Sequence, residues 1–172
     1  MSLPDWSLPV CRAALIACCR IPEPPHPGGF AVVRKHHIHE GIDLYVPEGT
    51  PVWPVEPGRI VTIEPFTGPA AGSPWWHDTQ CVMIEGASGV VCYGEITPNP
   101  VLKVGSEIGY GAIVGHVKQV LTKDKGRPMS MLHLELYEHG VRHPVEWKPK
   151  ADRPRGLLDP TPKLKAAFEW MP

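Results

Sequence analysis

Histidines concentrate in one short stretch, Arg34-Lys35-His36-His37-Ile38-His39-Glu40-Gly41-Ile42-Asp43. In an extended chain alternate side chains share a face, so His37, His39, Gly41 and Asp43 point the same way. Imidazole and carboxylate at that spacing suit a divalent ion. Gly41 between them leaves space and lets the backbone bend. A bend is required, because four residues of straight strand span about 13 Å, whereas each ligand lies only about 2 Å from a zinc ion. A second histidine stands in Ser130-Met131-Leu132-His133-Leu134-Glu135-Leu136. Alternation places Met131, His133 and Glu135 opposite the leucine face, so His133 points into a groove. Together, His39, Asp43 and His133 form a two-histidine, one-carboxylate set. Three protein ligands leave a position open for water, the arrangement of catalytic rather than structural zinc. The competing reading is a surface strand with solvated histidines and a structural His133.

The elements that would position these residues are strands. The 172 residues include 22 Pro and 17 Gly, against about 12% for the two together in average usage. Interior proline costs a helix about 3 kcal/mol, so a helical bundle is excluded. Short apolar runs punctuated by turn signals, from Phe30–Val33 to Leu132–Tyr137, predict a mainly β, antiparallel, sandwich-like domain with short terminal helices. Gly86-Ala87-Ser88-Gly89 predicts a hairpin over Cys81–Tyr93 that pairs Glu85 with Val90. Stretches 64–79, containing Trp75 and Trp76, and 118–130 are expected as long loops that wall the groove. The expected organisation is an N-terminal helical segment and Pro/Gly linker over 1–29, the domain over 30–164 and a tail over 165–172.

Composition narrows the partners. Seventeen Lys+Arg balance eighteen Asp+Glu, so no basic excess exists to hold nucleic acid. No apolar run approaches the roughly 20 residues of a membrane span, so no transmembrane segment is expected. Five cysteines without metal-finger spacing are expected as reduced thiols, with Cys81 and Cys92 unbonded. The N-terminal stretch lacks the basic start and long apolar core of a secretion signal.

The sequence resembles the lysostaphin-like, LytM-type zinc metallopeptidases, whose fold is the duplicated hybrid motif. Their H-x-x-x-D signature is His39-Glu40-Gly41-Ile42-Asp43. Val52 through Ile60, Gly89 through Ile96, and Gly105 through Gly115 follow further family patterns in order, and Asp159-Pro160-Thr161-Pro162-Lys163-Leu164 matches a closing one. The final H-x-H aligns on Met131-Leu132-His133. The resemblance covers roughly residues 30–164. It implies one Zn²⁺ per chain on His39, Asp43 and His133, and cleavage of peptide bonds in bacterial cell-wall peptidoglycan.

The departures fall on the catalytic auxiliaries. Glu95 replaces a family histidine two places after the motif tyrosine, Tyr93, and Met131 replaces the first histidine of H-x-H. Methionine cannot transfer a proton, so Glu95 is the candidate general base; its competing role is that of an exposed or orienting residue. Tyr93, Trp75, Trp76 and Met131 are candidate substrate contacts, and Glu135 is a candidate for orienting a ligand histidine. The rival function is a catalytically degenerate, zinc-containing module that binds a glycan, peptide or protein. The implied substrate lies outside the cytoplasm, so the weak signal leaves release after cytoplasmic synthesis, or a phage origin, to reconcile the two. Oligomeric state is open.

Overall fold

The computed structural model describes residues 3–18, 20–124 and 126–170. Nine strands and two short α-helices follow in the order α1 (Arg12–Cys18), β1 (Ile42–Tyr45), β2 (Pro51–Val52), β3 (Gly58–Thr67), β4 (Thr79–Gly86), β5 (Gly89–Pro98), β6 (Glu107–Ile108), β7 (Gly115–Val117), β8 (Met131–Tyr137), β9 (Leu157–Leu158) and α2 (Thr161–Glu169). All pairings are antiparallel, and the main path runs β1-β8-β5-β4-β3-β6. Strand β9 pairs β8, and β7 pairs both β2 and β5. The expected mainly antiparallel β architecture with short helices near the ends is the one observed.

The hairpin between β4 and β5 closes as its turn predicts, with Glu85 opposite Val90 and Gly86 opposite Gly89. Its inward residues join Leu44, Ile60, Ile96 and Leu132 in one hydrophobic core. Cys81 and Cys92 are buried and unbonded. Met83 pairs with Cys92, so Cys81 is a diagonal neighbour of Cys92 on one face, and burial and Cys81 push the Cys92 thiol up. Cys19 and the Cys18 side chain lie outside the described residues.

Two expectations need correction. Phe30–Val33 is not a strand. Ala31 takes φ 61° and the chain doubles back, with hydrogen bonds from Ala31 N–H to the His39 carbonyl and from His39 N–H to the Val32 carbonyl. The first loop starts later than expected. Glu64 and Pro65 still pair with Cys81 and Gln80, and a register shift between Pro65 and Thr67 accommodates the proline. The connection is therefore 68–78, with a 3₁₀ turn at Pro69–Ala71. It is tied to the 118–130 stretch by a bridge between Trp76 and Leu121. Helix α2 buries Leu164, Ala167 and Phe168.

Residues before 30 pack on the sheet. Trp6 and Leu15 are buried. Ser7 N–H donates to the Val55 carbonyl, and Trp53 N–H to that of Pro9. In the Pro/Gly stretch, the Gly28 carbonyl accepts from Asp43 N–H. That stretch sits directly beside β1.

Candidate metal centre

His39, Asp43 and His133 converge as buried neighbours. Asp43 lies on β1 directly opposite His133 on β8, and His39 reaches the same point from the bend before β1. His39 Nε2 lies 3.1 Å from Asp43 Oδ1, His133 Nδ1 lies 2.9 Å from the same oxygen, and the two nitrogens are 3.3 Å apart. Ligands about 2.0–2.1 Å from a tetrahedral zinc ion stand about 3.3 Å apart. The three atoms therefore have the spacing of one face of a tetrahedral site.

Hydrogen bonds on the far side of each ring turn the other nitrogen inward. His39 Nδ1 lies 2.7 Å from the Gly29 carbonyl, which can only accept, so Nδ1 carries the proton and Nε2 is bare. His133 Nε2 donates to Glu135 Oε1 at 2.9 Å, so Nδ1, 2.9 Å from Asp43 Oδ1, is the nitrogen turned toward the ligand set. Tyr137 Oη donates to the other oxygen of Glu135 at 2.6 Å. Such outer partners fix ring orientation and tautomer in metal sites. Asp43 Oδ2 accepts from Arg34 Nη2 at 2.6 Å, which leaves Oδ1 for an ion. The donor set fits zinc once the ion displaces the His133 proton: two imidazole nitrogens and one carboxylate, each held by its back.

Charge in the pocket is strongly perturbed. Burial pushes His39 down. Burial opposes the charge on Asp43, but His39 and His133 outweigh it and hold its carboxyl well below the usual range. Burial also opposes charge on His133, yet hydrogen bonds to Asp43 and Glu135 hold it well above an ordinary imidazole.

Glu95 reaches the same cleft by an unusual route. Strand β5 pairs with β8 as far as Gly94 opposite His133, then with β7 from Ile96 opposite Val117. Glu95 is the residue at the change of partner, with φ 63°, a conformation uncommon for residues other than glycine. Its side chain lines the cleft, and Oε2 is buried with no hydrogen-bond partner among the described residues. Burial, then the charge of Asp43, pushes its carboxyl up to about 8.

The cleft has a volume of about 1210 Å³ and runs past His39, His133 and Glu95 to Trp75 and Trp76. The tryptophan rings meet edge-to-face at 6.1 Å. Trp75 is 63% exposed, more open than its type suggests, because it forms the rim. Two expected substrate contacts lie elsewhere. Tyr93 is a core residue: it is fully buried, and its hydroxyl accepts from Val55 N–H. Met131 is buried at the start of β8 and does not line the cleft. Their places in the family motifs made both candidates, but alternation on strands with two covered faces buries them.

Sequence reasoning missed Arg34, the Gly29 carbonyl, Tyr137 and Phe66, whose ring lies 5.3 Å from that of His133. Tyr137 was accessible to the same alternation that links His133 and Glu135. The Gly29 carbonyl carried no signal, since backbone groups are invisible to residue type.

Fold and site together define an antiparallel β domain with a candidate metal centre. No protein-family model matches the chain, and no curated protein does. Solved structures do. The chain is similar to a zinc-containing peptidase from Vibrio cholerae (22% identity, TM-score 0.52, 87% of this chain and 41% of that one). It is similar to Helicobacter pylori Csd3 (20%, 0.50, 97% and 38%) and to cbpa from L. salivarius REN (19%, 0.54, 95% and 97%). The chain spans less than half the length of the first two. At these identities the likeness is one of fold, and it is the LytM-type fold that the sequence resembles.

Proposed function

We propose that this protein is a zinc-dependent endopeptidase acting on peptide bonds of bacterial cell-wall peptidoglycan. The observation that carries the reading is the convergence of three ligand atoms with a buried, unpartnered carboxylate oxygen on Glu95. Zinc, when bound, supplies a Lewis acid and lowers the pKa of water from 15.7 toward about 7. His39, Asp43 and His133 would hold it. Glu95 Oε2 would take a proton from the attacking water and return it to the departing amine. A carboxyl pushed up to about 8 holds an accepted proton more firmly than an ordinary glutamate does. The Trp75–Trp76 rim and the 118–130 stretch would flank the substrate. The zinc-containing Vibrio peptidase of the same fold supports this choice of ion.

The test is metal content followed by turnover. Protein purified without chelator should carry close to one equivalent of zinc, and His133→Ala should abolish tight retention. The zinc-loaded protein should clear purified peptidoglycan and release new amino termini. Full zinc occupancy without any product would replace this reading with a binding module.

A further inference from the structure

The guanidinium of Arg34 is used on one side only. Nη2 makes both of its hydrogen bonds, to Asp43 Oδ2 and to the Pro27 carbonyl, each at 2.6 Å. Nε is buried without a partner, and Nη1 has none among the described residues. The side chain lines the cleft beside His39 and His133. A guanidinium offers five donors in a rigid fork, so clamping Asp43 from one nitrogen aims the remaining donors in a fixed direction. Among the described residues Arg34 is the one arginine or lysine of the cleft bonded to the candidate ligand set; His36, His37 and Arg127 line it without such a bond.

We propose that Arg34 is a second catalytic group, donating from Nη1 to the oxygen of the scissile carbonyl as negative charge develops there. This rests on the peptidase reading above. The step balances without any further reactant. Water oxygen forms a bond to the carbonyl carbon, its proton passes to Glu95 Oε2, and the carbonyl oxygen gains the negative charge that Arg34 faces. The C–N bond then breaks, the carbonyl reforms, and the proton on Glu95 goes to the amine. A donor placed where charge develops is commonly the largest single contribution to such reactions. The Asp43 clamp would hold that donor in place before substrate arrives.

Inorganic phosphate, a tetrahedral oxyanion, serves as the probe. Its affinity for the zinc-saturated protein should be measured by calorimetry in wild type and in Arg34→Lys. Lysine keeps a cation able to reach Asp43 but lacks the second nitrogen, so zinc should be retained and phosphate should bind about 10- to 100-fold more weakly, the loss of one charge-assisted hydrogen bond. Equal affinity would overturn the proposal. In wild type alone, nitrogen NMR of the guanidinium groups should show the Arg34 resonances shift with phosphate when zinc is present, and unmoved resonances would equally overturn it. Peptide cleavage by a variant with undiminished phosphate affinity would remove the role of Arg34 and leave the peptidase reading standing. A wild type that cleaves nothing would remove that reading, while the phosphate affinities still decide whether Arg34 donates into the cleft.

Discussion

An unpartnered buried polar atom costs about 1–3 kcal/mol, so Glu95 Oε2 is a liability unless something binds there. In a general-base role Glu95→Gln should lower turnover by about 10²–10⁴-fold with zinc content unchanged, compared at matched occupancy. Wild-type turnover in that variant would exclude the role. Stability gives a second readout in the metal-stripped protein. The folded-state value of about 8 lies above the ordinary 4.5, so the folded chain holds this proton more tightly than the unfolded one. The resulting stability is complete below about pH 4.5 and is lost as pH rises through about 8. Urea titrations across that window should show a steeper decline in wild type than in Glu95→Gln. Glu135→Gln should weaken zinc by about 10- to 100-fold, because a neutral amide holds the His133 proton less firmly.

Strands deliver those side chains, and the joints between them decide the site. Residue types alone indicated His39, Asp43 and His133, because ligand chemistry is local and the H-x-G-x-D spacing is short. Glu95 entered only through a family pattern, since the partner change of β5 and its φ of 63° are products of sheet assembly. Gly41 shows the difference well. Its absent side chain looked like space for an ion, but a Cβ there would strike the Leu134 carbonyl and approach Glu135 Cγ and His133 Nε2, both at 3.0 Å. The glycine lets the bend before β1 lie against β8. Gly41→Ala should therefore cost at least the 1–3 kcal/mol typical of overpacking and should loosen zinc, since the clash falls on the Glu135–His133 pair. A thermal melt and zinc content would check both, and a variant with wild-type values would remove this account of the glycine.

Across the whole molecule, distant parts of the chain share responsibility for one ring. The segment before residue 30 looked like a helix and a linker because Pro and Gly dominate 21–29. Composition identifies such a stretch as irregular but cannot show what it packs against. Trp6 is 1% exposed, and its indole N–H donates to Ser88 Oγ in the hairpin turn. Ser88 Oγ in turn donates to the buried Glu56. At the other end of the segment, Gly28 pairs with Asp43 and Gly29 fixes the His39 tautomer. These two anchorages lead to separable outcomes. Trp6→Ala empties a buried site whose hydrogen bond goes to the hairpin turn and not to a candidate ligand, so it should cost about 3–5 kcal/mol while the folded fraction still binds zinc normally. Removal of residues 1–29 takes away the Gly29 carbonyl as well, so His39 can turn or change tautomer and zinc affinity should fall in whatever fraction remains folded. Calorimetric zinc titration beside a denaturation curve distinguishes the two. A truncated protein that melts and binds zinc as the full chain does would show that the segment belongs to neither the fold nor the site.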